Sequence, residues 1–209
     1  MENIHEFYRR EFENSLKEAM ASAPPKKLLL HVCCAPCSSY VLEYIGKYFN
    51  TTLYYYNPNI FPKEEFTKRL TELERFNEEA GHRGVIVSPE YRSEEFFEEV
   101  KGFEKLGEGS ERCRKCYRLR LRKTAEYAVR NGFDFFTTTL SISPYKKSDW
   151  LNEIGCELEK EYGVRYLCAD FKKKNGYKRS IELSKEYSLY RQNYCGCIFS
   201  RQEAEEREK

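Results

Sequence analysis

Seven of the nine cysteines in this chain fall into three tight groups. Cys33, Cys34 and Cys37 stand in HVCCAPC, Cys113 and Cys116 in CRKC, and Cys195 and Cys197 in CGC. Close sets of soft thiolates are what an iron–sulfur cluster, a zinc ion or a redox dithiol requires. The groups lie far apart along the chain, so they form one site only if the fold gathers them. In HVCCAPC, adjacent thiolates in a turn can serve one metal centre or two neighbouring ones. The dipole of a following helix would favour their ionised form. CRKC is a CxxC at the start of a predicted helix; two such half-sites supply the four thiolates of a zinc site or of a [4Fe–4S] cluster. CGC turns tightly at its glycine and could chelate a metal or close a strained, easily reduced disulfide. Cys156 and Cys168 stand alone and read as packing residues. The three histidines are isolated and no HExxH helix occurs, so they read as structural, with His31 close enough to the cysteine loop to influence it.

The composition bounds the rest. A chain of 209 residues suffices for one ordinary domain with its own core. With 40% hydrophobic and 33% charged residues it reads as a soluble globular protein, neither disordered nor membrane-spanning. The N-terminal stretch is charged and amphipathic and lacks a signal peptide's apolar run, which points to a cytoplasmic protein. An odd number of cysteines in adjacent pairs is poor disulfide design, so metal binding or catalysis is the better account. The net charge of +2 says little, but its distribution says more. Residues 112–123 hold seven basic side chains and no acidic one, and FKKKNGYKR is a second basic run. Basic patches beside aromatics suit a nucleic-acid partner, although either run alone reads as a solvated helix face.

The elements that must position these residues follow from periodicity. Residues 3–21 are predicted helical and form, within 1–25, an N-terminal extension ended by Ala23-Pro24-Pro25. Strands are predicted at 27–32, 51–56, 84–88, 133–140 and 164–169. Between them lie helices at about 38–49, capped by Ser38 or Ser39, and at 63–80, 93–100, 113–130 and 147–162, with a last one at 181–190. Residues 201–209 read as a charged tail. Alternating strands and helices predict an α/β layered fold of the Rossmann-like (HUP-like) kind, with a mainly parallel sheet over residues 26–200. Ligands of such sheets gather beyond the strand C-terminal edge, so the metal site is expected there. HVCCAPCSS, NPNI, TTTLSISPYKKS and CADFKKKNG all sit at that edge. The hydroxyl-rich, basic TTTLSISPYKKS could hold a phosphate or sugar. Without GxGxxG or GxxxxGK[ST], nothing implies a bound nicotinamide or nucleoside triphosphate.

HVCCAPCSSYVLE, CRKCYRLRL, TTTLSISPYKKSDWLNEIG and YCGCIFS together resemble, in order and spacing, the epoxyqueuosine reductase QueH family. The similarity runs from about Lys26 to Ser200. The resemblance implies a cytosolic, iron–sulfur-dependent oxidoreductase that reduces epoxyqueuosine in a tRNA anticodon to queuosine, with a second iron beside a [4Fe–4S] cluster. It implies Cys33, Cys34, Cys113 and Cys116 as cluster ligands. Cys195 and Cys197 would be a redox-active pair or metal ligands, and Cys37 an iron ligand. The electron donor would be of the ferredoxin or flavodoxin type. Tyr145, Lys146, Lys147 and Asp149 are expected to handle protons or phosphate. Arg118, Arg120, Arg122, Lys172, Lys173 and Lys174 are expected to hold tRNA phosphates. Two other readings compete: a zinc-stabilised four-cysteine RNA-binding module without redox activity, and a thiol oxidoreductase acting on proteins.

Overall fold

The computed structural model describes residues 3–82 and 84–207; residues 1, 2, 83, 208 and 209 lie outside it. Five parallel strands form one sheet in the order β3-β2-β1-β4-β5. They are β1 (Lys27–His31), β2 (Asn50–Tyr54), β3 (Ile86–Val87), β4 (Phe135–Thr138) and β5 (Arg165–Tyr166). The helices are α1 (Ile4–Ala21), α2 (Ala35–Ile45), α3 (Lys63–Glu79), α4 (Ser93–Glu99), α5 (Glu111–Arg130), α6 (Ser148–Tyr162), α7 (Gly176–Glu186) and α8 (Ile198–Arg207). This is the Rossmann-like α/β layering expected from the alternation, and the order of strands reverses at β1. The crevice between the ends of β1 and β4 is the place where such sheets receive ligands.

The central strand shows why the sheet is covered on both sides. Leu28, Leu29 and Leu30 are fully buried, and they alternate between two cores. Leu29 packs with Phe136, Leu121 of α5 and Leu151 of α6. Leu28 and Leu30 pack with Val41 of α2, Phe76 of α3 and Leu16 of α1. The N-terminal helix is therefore part of the second core, and an ion pair from Arg165 to Glu18 ties it to β5 as well.

Several boundaries move. β3 and β5 shrink to two residues each, because each is an edge strand paired on one side only. α2 begins at Ala35, earlier than expected, since Pro36 suits its first turn. Ser38 and Ser39 are not caps; their hydroxyls donate back to the carbonyls of Cys34 (2.8 Å) and Pro36 (3.0 Å). α7 starts at Gly176, five residues before its predicted start. Residues 201–207, read from the sequence as tail, belong to α8, which Arg112 anchors through Glu203 at 2.8 Å. Among the described residues no helix is long and apolar enough to cross a membrane.

Candidate metal centre

β1 delivers the first thiol group. Cys34 is the extended N-cap residue of α2, so Cys37 falls in the first turn above it. The sulfur atoms of Cys33, Cys34 and Cys37 lie within 4.8 Å of one another. Hydrogen bonds from Cys33 and Cys37, aided by Arg69, hold the Cys34 thiol well below its usual value despite burial. Gln192 adds an N–H to the Cys34 sulfur at 3.3 Å. The reciprocal effect of the Cys34 hydrogen bond pushes Cys33 up to about 12, and Cys37 is also raised. Of the three, Cys34 is the thiol that ionises first.

The second group comes from α5 and the turn into α8. Cys113 and Cys116 are three residues apart, hence on one helix face, and both are buried. The amide of Gly109 donates to the Cys113 sulfur at 3.3 Å. Burial pushes Cys116 up to about 12. Gly196 lets the CGC turn form: its φ is +134°, and an added Cβ would lie 3.0 Å from the Arg69 guanidinium. Arg69 Nη1 donates to the Cys195 carbonyl at 3.0 Å, and the Ser200 amide donates to the Cys197 sulfur at 3.4 Å. Cys113, Cys116, Cys195 and Cys197 line one small internal cavity together with Asn59, Glu108 and Arg120. All of these cysteines are free thiols.

Three buried arginines surround the thiols. Arg120 is 1% exposed and its Nη2 has no hydrogen-bond partner. Arg69 Nη2 and Arg112 Nε are likewise unpartnered. Buried guanidinium groups are costly unless negative charge compensates them. Arg69 and Arg112 have carboxylate partners in Glu65 and Glu203. For Arg120, ionised thiolates holding an iron–sulfur group would supply the charge, so the donor set fits such a group. The sequence pattern held a signal for Arg120 that the phosphate reading missed. It stands four residues after Cys116 and seven after Cys113, on the thiol face of α5. Arg69, Glu108 and Gln192 carried no comparable signal, because only the tertiary fold brings them here.

Both thiol groups open onto a cleft of about 280 Å³, lined by Cys33, Cys37, Cys195, Arg120, Tyr145 and Lys146 among others. Lys146 is 7% exposed and its Nζ lies 2.8 Å from Glu108. Burial opposes its charge, but neighbouring Cys195, then Tyr117 and Glu108, raise its pKa well above the ordinary value. Tyr145 is 73% exposed at the rim.

The other expected residues lie elsewhere. Asp149 pairs with His5 at 3.2 Å and lines a second cavity that the grouped cysteines do not reach. Lys147 lies over the Trp150 ring. Arg118 pairs with Glu157, and Arg122 with Glu99. Lys172 is spent on loop structure, donating to the Ser141 carbonyl at 3.0 Å and pairing with Asp170. Lys173 and Lys174 line the second cavity. Arg120 is buried where the thiol cavity meets the cleft. His31 is buried and neutral, its ring held between Thr138 and the Tyr56 carbonyl, as a structural histidine would be. Burial lowers its pKa to about 3.

Comparison with known proteins agrees with the cysteine pattern. The family described as "Epoxyqueuosine reductase QueH" matches residues 28–203. A protein of that name from Streptococcus pyogenes is 45% identical over 177 residues, covering 83% of this chain and 69% of its own length. Another, from Thermotoga maritima, is 40% identical over 184 residues, covering 86% of this chain and 93% of its own. A solved structure, the U34-tRNA thiolase NcsA from Methanococcus maripaludis with its [4Fe-4S] cluster, aligns with a TM-score of 0.48 at 13% identity, covering 96% of this chain and 72% of that one. On the family match and the identity of its relatives, the chain belongs to the epoxyqueuosine reductase QueH family of oxidoreductases.

Proposed function

We propose that this protein reduces epoxyqueuosine in a tRNA anticodon to queuosine. The observation that carries the reading is the Cys33, Cys34 and Cys37 triad and the cavity lined by Cys113, Cys116, Cys195 and Cys197, which shares Cys195 and the unpartnered Arg120 with one cleft. Converting an epoxide to an alkene and water takes two electrons and two protons, and no ordinary side chain supplies the electrons. A [4Fe–4S] cluster with an adjacent iron, held by Cys33, Cys34 and Cys37 on one side and Cys113, Cys116, Cys195 and Cys197 on the other, would supply electrons and a Lewis acid there. Cys195 and Cys197 are read here as ligands, because they face the same cavity as Cys113 and Cys116.

The remaining chemistry belongs to the chain. Lys146, held charged beside Glu108, donates a proton to the departing epoxide oxygen. Tyr145, Tyr177 and Tyr194 line the cleft and offer faces on which an unstacked anticodon base can rest. Arg191 and Arg207, also on the cleft, bring positive charge to the neighbouring phosphates. Electrons arrive from a ferredoxin- or flavodoxin-type donor, and a tRNA substrate places the reaction in the cytoplasm.

The test is anaerobic purification followed by assay of iron, zinc and acid-labile sulfide, the visible spectrum before and after dithionite, and turnover of epoxyqueuosine-containing tRNA. Iron above about four per chain with sulfide near four, bleaching on reduction and queuosine formation are expected. Stoichiometric zinc without sulfide would instead support the RNA-binding module.

A further inference from the structure

Two cysteines lie outside the centre described above. Cys156 is on α6 and Cys168 is two residues beyond β5, and their sulfur atoms are 3.5 Å apart. Their approach is fixed from both sides. Asn152 Oδ1 accepts from the Ala169 amide at 3.0 Å, and Glu159 Oε2 accepts from the Tyr166 amide at 2.9 Å. Asn152, Cys156 and Glu159 follow one face of α6, and they meet Ala169, Cys168 and Tyr166 in turn. Gly155 permits this closeness, since an added Cβ would lie 2.3 Å from the Tyr166 ring. The two thiols are thus flanked on both sides by hydrogen bonds from main-chain amides to α6 side chains. A disulfide needs a sulfur separation of about 2.05 Å, so the two sulfur atoms must close from contact distance.

The pair is also reachable. Cys168 lines the second cavity, of about 140 Å³, beside Tyr8, Tyr44 and Lys173, and Cys156 is half-buried at the surface of α6. The hydrogen bond with Cys168 lowers the Cys156 pKa, and Cys156 is the less buried of the two, which favours it as the attacking thiolate.

We propose that Cys156 and Cys168 form a second, metal-independent dithiol that is reversibly oxidised by the disulfide of a small thiol such as glutathione. Cys156 thiolate attacks one sulfur of that disulfide and releases one small thiolate. Cys168 then gives up its proton and displaces the second small thiolate from the mixed disulfide. The two cysteines lose two electrons and two protons, and the small disulfide becomes two thiols. Closure links α6 covalently to the segment that follows β5.

The full chain, purified with its cofactor, is incubated with oxidised or reduced glutathione and quenched with a thiol alkylator. Trypsin then releases Cys156 and Cys168 in separate peptides, 148–160 and 166–172, each with no other cysteine. The expected result is a linked pair of these peptides after oxidation, with loss of most alkylation at both positions and its return after dithiothreitol. In a Cys156→Ser variant Cys168 should stay alkylatable. Full alkylation of both cysteines in the oxidised wild-type sample, stable glutathione adducts in place of the link, or pairing of either cysteine with one of the seven grouped thiols would overturn the proposal. None of these outcomes depends on turnover, so failure here leaves the reductase reading standing.

Discussion

Arg120 donates from Nε to the Cys116 carbonyl at 3.3 Å, while its Nη2, buried among the thiols, finds no partner. In the thiol form of the site this is an uncompensated cation; with thiolates and a bound cluster it is a matched one. Arg120→Met should therefore have opposite effects on the two forms. The metal-free protein should unfold at equal or slightly higher denaturant, by about 1 kcal/mol, since a buried charge without a partner is lost. The same variant should retain less iron and sulfide, and Arg120→Lys should recover part of both. Full cofactor content in Arg120→Met, with an unchanged midpoint potential, would remove Arg120 from the account.

Glu72 ties α3 to the segment that precedes the CGC turn. It accepts from Arg75 and from the Tyr190 amide at 2.7 Å, and Arg75 also donates to the Tyr187 carbonyl. The Arg75 hydrogen bond, outweighing burial, holds the Glu72 carboxyl below its ordinary 4.5. A depressed carboxylate contributes stability that is fully present above about 4.5 and is lost as pH falls through the folded value. Glu72→Gln should cost about 1–2 kcal/mol at pH 7. Urea denaturation from pH 7 down to 3 should show the gap between wild type and variant narrowing on the acid side. A gap that is constant or widens toward pH 3 contradicts this sign.

What could be read from the sequence divides along physical lines. The strands β1 and β4 were legible because their residues are apolar and buried on both faces, and the cysteine loop followed from where β1 ends. The edge strands β3 and β5 were overestimated, since a run such as GVIVS carries the same pattern whether two residues pair or five. Helix α8 was hidden by its charged composition; only Ser200 and Ala204 are buried on it. Within the site, spacing grouped the cysteines but gave no side for the loop after β4. Lys146 turns into the thiol cleft and Asp149, three residues later at the start of α6, turns to His5. That choice is made by packing and leaves no trace in local pattern.

Gly155 shows the same tertiary override as a stability effect. In an exposed helix interior, replacing glycine with alanine gains about 0.5–1 kcal/mol. Here the new methyl would meet the Tyr166 ring at 2.3 Å, where neither β5 nor α6 can give without breaking the hydrogen bonds of Asn152 and Glu159. Gly155→Ala should therefore destabilise by about 1–3 kcal/mol, the usual cost of overpacking. A thermal or urea unfolding curve shifted the other way would mean that α6 does not lie against Tyr166.

Lys146 is the residue on which the proton step rests. Its 2.8 Å pairing with Glu108 keeps the ammonium in place on a wall shared with Cys195 and Tyr145. Lys146→Met removes the donor, and loss of a positioned acid lowers turnover by about 10²–10⁴-fold. Because Lys146 is no cysteine ligand, iron and sulfide content should stay at the wild-type level, and tRNA affinity should change little. Glu108→Gln keeps a hydrogen-bond acceptor but weakens the hold on the ammonium, so its loss in turnover should be smaller than that of Lys146→Met. Single-turnover assays with pre-reduced protein separate this step from electron delivery. If Lys146→Met converts bound substrate at the wild-type single-turnover rate, the proton comes from elsewhere in the cleft.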